Sequence, residues 1–92
     1  MAQHELKTVS PHFEAVRDGC KTFEVRRADR NFRVGDVLLL QHYDRDRQRY
    51  LGSEVRRRVI YVLKGIESSS CDYVGIAEGF VAMGLATEVV AL

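Results

Sequence analysis

The stretch G-C-K-T-F-E-V-R-R, Gly19 to Arg27, decides how the rest of the chain is read. From Thr22 to Arg26 polar and apolar side chains alternate, the period-two pattern of a strand with one buried face. Phe23 and Val25 share a face and, as the apolar pair, are expected to anchor the strand to the core. Thr22, Glu24 and Arg26 form the opposite row, with neighbours about 6.5–7 Å apart. Gly19 stands where a helix would end on a left-handed residue, so the strand is expected to follow directly on a helix.

Working back from Gly19, Ser10-Pro11 marks the start of that helix. Ser10 can cap the free amides, and Pro11 suits the first helical position, where a missing N–H costs nothing. Phe13 and Val16 fall on one face, which predicts a short helix over 11–18. His4 to Val9, H-E-L-K-T-V, reads as a first strand. Forward of Arg27, R-A-D-R-N-F-R-V-G-D is a charged connection with Phe32 and Val34 as anchors. V-L-L-L-Q-H-Y (37–43) predicts a strand buried on both faces at its start, and S-E-V-R-R-R-V-I-Y-V-L (53–63) its antiparallel partner across a polar loop at 44–52. Gly65 to Tyr73 reads as a loop, with further strands around 78–83 and 87–92. Tyr61 and Phe80 are expected in the core, whereas Tyr43 fits either core or surface.

The fold class expected is therefore α+β and mostly β, a single domain over 1–92. Five or six short strands with one early helix favour a small closed or nearly closed barrel, which avoids open edges. With 92 residues, such a domain has a modest core. No apolar run approaches the ~18 residues of a membrane span, and the N-terminus lacks the apolar stretch of a signal peptide. No membrane association and a cytoplasmic location are expected. Cys20 and Cys71 have no CxxC partner and are read as two free thiols. His4, His12 and His42 show no ligand spacing, so neither metal nor other cofactor is expected.

Net charge is only +1, but it is unevenly spread. All 14 Lys and Arg lie between Lys7 and Lys64, while the charges after Gly65 are Glu67, Asp72, Glu78 and Glu88. Such a division lets a nearly neutral chain present a basic face. Arg26 offers a planar donor fork for phosphate or a base edge. Glu24 can hold Lys21 or Arg26 in place or accept from the amine of a base; equally, these charges can be surface ion pairs of little energetic weight. Arg45, Arg47 and Arg49 beside Tyr50, and the run Arg56-Arg57-Arg58, suit single-strand binding, though a solvated hairpin tip explains the first group as well. Ser68, Ser69 and Ser70 lack a GxSxG setting, and no phosphate-cradling glycine motif is present. Lys21 could act as a nucleophile or base if desolvated.

G-C-K-T-F-E-V-R resembles the G-x-K-x-x-E-x-R signature of ASCH domains, in the PUA-like superfamily. H-E-L-K (His4–Lys7), F-R-V-G-D-V-L-L-L (Phe32–Leu40) and E-G-F-V-A-M-G (Glu78–Gly84) look like a group of short ASCH-like bacterial and phage proteins. The resemblance implies a PUA-like β-barrel and RNA or nucleotide binding in a cleft beside the early helix. The binding groups it implies are Lys21, Glu24 and Arg26, with Lys7, Thr22 and Arg27 as secondary contacts. It also offers an enzyme precedent, an amidohydrolase acting on N4-acylated cytidine. Lys21 matches that enzyme's lysine, but Glu24 occupies the place of its threonine nucleophile, Thr22 sits one alternate position away, about 7 Å along the row, and Glu67 is only a guess for its distant glutamate. A protein-interaction module using Arg45, Arg47 and Arg49 is the third reading.

Overall fold

The structure is a computed structural model and describes residues 1–65 and 75–88. Five strands and one short helix follow one another as β1 (Gln3–Thr8), α1 (His12–Arg17), β2 (Phe23–Arg27), β3 (Val37–Asp44), β4 (Arg49–Lys64) and β5 (Phe80–Leu85). The α+β, mostly β class expected from the sequence is the one observed. The strands form one mixed sheet in the order β1-β3-β4-β5-β2. β1 runs parallel to β3, and the other neighbouring pairs are antiparallel.

β4 makes the sheet curl. Its first half pairs with β3, ending at Arg58 opposite Val37, and its second half pairs with β5. Between Val59 and Tyr61 it advances two residues while β5 advances one. The extra residue, Ile60, is a bulge, which bends the strand and increases its twist at this corner. The curl carries the edge strands β1 and β2 towards each other. No backbone ladder joins them among the described residues, so the expected barrel remains open along one seam. Side chains bridge it instead: the Arg26 guanidinium crosses from β2 to the Lys7 carbonyl and the Thr8 hydroxyl of β1.

The core lies inside the curl. Leu38 and Leu40 of β3, Val55 and Val59 of β4, and Val81, Met83 and Leu85 of β5 pack with Leu6, Phe32 and the helical pair Phe13 and Val16. Leu39, on the other face of β3, is buried too, as the triple-leucine run predicts. The helix starts one residue later than expected: Pro11 occupies the cap position, and the Ser10 hydroxyl makes no cap bond. It donates to Glu14 (2.8 Å) and meets His42 Nε2 (2.9 Å), whose ring stacks on Phe13 at 4.3 Å. The end of the helix matches expectation. Gly19 is left-handed (φ 84°), its N–H bonds to Val16 O, and that of Cys20 bonds to Ala15 O. This pair of bonds satisfies carbonyls that the helix itself leaves open.

Further sequence readings need correction, among them Val34, which is 62% exposed and no anchor. β4 begins at Arg49, so the hairpin loop is shorter than 44–52. Tyr61 is 63% exposed rather than core, because it follows the Ile60 bulge on the outer face. Arg57 is buried in the inward row of β4 between Val55 and Val59, where it donates to Val16 O (3.2 Å) and Arg17 O (3.3 Å). A cation meeting the negative end of a helix is favourable; the middle residue of the arginine run is thus a structural clamp. Arg57→Ala should lower the unfolding free energy by about 2 kcal/mol, read as a lower urea midpoint. The expected loop beyond Gly65, the strand at 87–92 beyond Glu88, and Glu67, Ser68, Ser69, Ser70 and Cys71 lie outside the described residues.

Candidate nucleic-acid interface

The polar row of β2 does not face solvent. Glu24 is 2% exposed, whereas Phe23 and Val25 are 51% and 48% exposed, so the strand presents the face opposite to the one its hydrophobicity suggests. The reason lies in the partners of Glu24. Lys21 Nζ reaches Oε1 at 2.8 Å and Arg26 Nε reaches Oε2 at 2.8 Å. A buried carboxylate is tolerable when paired and hydrogen-bonded on both oxygens, and here both are. β5 holds the strand in register, with Glu24 opposite Met83 and Arg26 opposite Val81.

Arg26 continues the network. Its Nη1 donates to Lys7 O (3.0 Å) and its Nη2 to Thr8 Oγ1 (3.1 Å), while the Thr8 hydroxyl donates to Leu6 O (3.2 Å). Three of the five guanidinium donors are thereby committed to the protein, and two remain. Arg26 is first a clasp across the seam. Lys21 spends one of its three donors on Glu24 and lies beside the Phe23 ring, its Nζ 5.4 Å from the centroid.

Beside the seam and next to the helix is a hollow of about 590 Å3. Its lining combines the buried Glu24 and Thr8 with Arg26 and the exposed, apolar Phe23 and Val25. Tyr43, Lys7, Lys21, His12 and Arg45 line it as well. Lys7 is positioned by aromatic faces: its Nζ lies 4.6 Å from the Tyr43 centroid and 5.9 Å from that of Tyr50. Those two rings pack edge to face at 5.1 Å. Cations over ring faces gain electrostatic attraction while the ammonium stays free to donate. Among the described residues, four cations and one carboxylate line this hollow.

Of the residues singled out from sequence, Lys7, Lys21, Glu24 and Arg26 are brought together here. Thr22 and Arg27 do not line this hollow. Arg27 faces a neighbouring depression, its guanidinium 5.4 Å from the Phe80 ring. Thr8, Phe23, Val25, Tyr43 and Arg45 are lining residues that the sequence reading did not assign to the cleft. Arg45 belongs to the arginine-rich hairpin, while Arg47 turns to Asp44 at 3.8 Å. No group of three or more His, Cys, Asp or Glu among the described residues is arranged to hold a metal. No helix among them is long and apolar enough to cross a membrane.

The structure thus defines a small, mostly β domain with a cationic, partly aromatic hollow beside an open seam. The chain belongs to the family described as a domain of unknown function, DUF3850, whose model matches residues 3–85 and so takes in β1 to β5. A comparison with curated proteins finds no match.

Proposed function

We propose that this protein is an ASCH-like, PUA-like domain that binds RNA or a nucleotide in the hollow beside the helix. The observation that carries this reading is the arrangement of Lys7, Lys21 and Arg45 around a cleft that also offers Phe23 and Tyr43. Cations for phosphate and aromatic faces for bases are the two requirements of single-strand binding. Glu24 is the anchor that orients Lys21 and Arg26, and its remaining lone pairs can accept from the amine of a base. Arg26 contributes its two uncommitted N–H groups. The exposed free thiol of Cys20 fits a reducing, cytoplasmic setting.

A hydrolytic reading on N4-acylated cytidine needs a free nucleophile beside Lys21. Thr22 is not in the lining, and the Thr8 hydroxyl is engaged with Leu6 O and Arg26. Binding is therefore the reading adopted.

Lys21→Ala is expected to weaken binding of a fluorescein-labelled single-stranded RNA by about 1–3 kcal/mol while keeping a folded circular-dichroism spectrum at about 20 °C, with a lower urea midpoint because Glu24 loses one of its two cations. Wild-type affinity should fall with salt by about 0.7 log units per log unit for each phosphate neutralised. An affinity indifferent to salt, or a Lys21→Ala variant that binds like wild type, would overturn the proposal. Conversion of N4-acetylcytidine to cytidine, abolished by Lys21→Ala, would put the enzyme reading in its place.

A further inference from the structure

The seam between β1 and β2 carries a second hollow, of about 550 Å3, lined by Arg27, Arg30, Tyr50 and Phe80 among others. It shares Lys7, Val25 and Arg26 with the hollow beside the helix. The two hollows therefore adjoin at the Arg26 clasp. The first is lined by Thr8 of β1 and the following Val9 together with Lys21, Phe23 and Glu24, the second by Glu5 and Leu6 of β1 together with Arg26 and Arg27. We infer that the guest is a single-stranded oligonucleotide threaded along this seam, with one nucleotide in the Phe23–Tyr43 hollow and the next ones over Arg27, Arg30 and Tyr50.

This inference rests on the reading proposed above and extends it from a nucleotide to a polymer. Length supports it. From Phe23 to Arg27 the strand advances about 13 Å, at about 3.3 Å per residue. Successive phosphates of an extended strand are spaced on the scale of two such residues, so the groove is too long for one nucleotide. Charge supports it as well. Along both hollows six cations stand against three carboxylates, an excess of three positive charges whichever of them are paired. Each half also has its own aromatic faces: Phe23 and Tyr43 at one end, the exposed Tyr50 and half-buried Phe80 at the other. A repeated pairing of cation and ring suits a repeating phosphate-and-base polymer.

An extended peptide adding to an unpaired strand edge is the competing occupant. The Arg26 guanidinium already bonds the Lys7 carbonyl across the seam, and a peptide strand pairing there would have to displace it. A nucleic acid lying over the clasp leaves that bond intact and uses the remaining donors.

The test is fluorescence anisotropy with a labelled hexaribonucleotide of random sequence, a dinucleotide of the same kind, and a hexaglutamate peptide. Wild-type protein, Lys21→Ala and the double variant Arg27→Ala/Arg30→Ala are titrated at several salt concentrations. The hexamer is expected to bind at least tenfold tighter than the dinucleotide. Both variants should lose about tenfold in hexamer affinity, and the double variant's salt slope should flatten by one to two phosphates' worth, about 0.7 each. Both double-variant positions are exposed, so the fold should be retained.

If only Lys21→Ala weakens the hexamer, or if the dinucleotide binds as well as the hexamer, the threaded strand is overturned while the helix-side hollow stands. Loss confined to the double variant overturns both readings, as does the absence of any RNA binding. Hexaglutamate binding equal to that of the hexamer would reduce the groove to a patch for any polyanion and also overturn the inference.

Discussion

Replacing Glu24 by Ala is expected to destabilise the protein by about 3 kcal/mol, and Glu24→Gln by nearly as much. The carboxylate is buried and neutralises two cations that face it at 2.8 Å each. Removing one member of a buried ionic group strands the others, which costs more than the group contributes as a whole. Lys21 and Arg26 keep some access to water, with 17% and 25% of their side chains exposed, and this holds the figure towards the lower end of the 3–5 kcal/mol seen for fully buried pairs. Against the 5–15 kcal/mol typical of whole domains, the loss is a large fraction. Chemical denaturation measures it directly. On the proposed function, RNA affinity should fall together with stability, because without Glu24 neither Lys21 nor the Arg26 clasp has its anchor. Wild-type stability in Glu24→Ala would mean that the three charges are independent surface groups.

The second large effect is expected at Asp36, at the start of β3. This buried carboxylate accepts from the Ala2 N–H (3.0 Å), the Arg33 N–H (3.0 Å) and His4 Nε2 (2.8 Å). Burial pushes its pKa up, but the hydrogen bonds from Ala2, His4 and Arg33 outweigh burial, and the carboxyl ends below its ordinary range. A carboxyl with a depressed folded-state pKa stabilises fully above its unfolded value, about 4, and loses that contribution as pH falls through the folded value. Asp36→Asn should therefore cost about 2–4 kcal/mol at pH 7 and show a shallower decline of stability below about pH 4 than wild type. Glu14 and Asp18, also held low, by Ser10 and Arg17 respectively, remain in the variant and keep part of the acid limb. Parallel decline in the two proteins between neutral and acid pH would show that Asp36 does not supply the term. The consequence reaches the hollow beside the helix, because Asp36 bonds the start of β1, whose far end carries Lys7 and Thr8.

Much of the fold is legible before any coordinates. The three leucines of 38–40, the helix closed by Gly19 and the strand after it follow from local patterns that the tertiary structure does not override. The errors share a cause. Alternation in T-F-E-V-R identifies a strand, but which face turns inward depends on partners distant in sequence. Hydrophobicity points Phe23 and Val25 inward; Lys21, Arg26, Lys7 O and Thr8 make it favourable to bury Glu24 instead. Arg57 is misread for the same reason, since its acceptors are carbonyls of a helix about forty residues away. The composition of the candidate site is partly legible, because Lys21, Glu24 and Arg26 stand together in one stretch. Tyr43 and Arg45 reach it only through the pairing of β3 with β1, which no local pattern encodes.

The order of strands in the sheet has a consequence for how the protein comes into being. β1, β3 and β4 occupy adjacent places and are complete by Lys64, so this half has all its partners once two-thirds of the chain exists. β2 emerges early but has its backbone ladder only with β5, Phe80–Leu85. The segment bearing Lys21, Glu24 and Arg26 must therefore wait on a nascent chain, its acid and bases still in water, until Phe80–Leu85 arrive. A chain halted before Phe80 lacks the strand against which that segment is assembled.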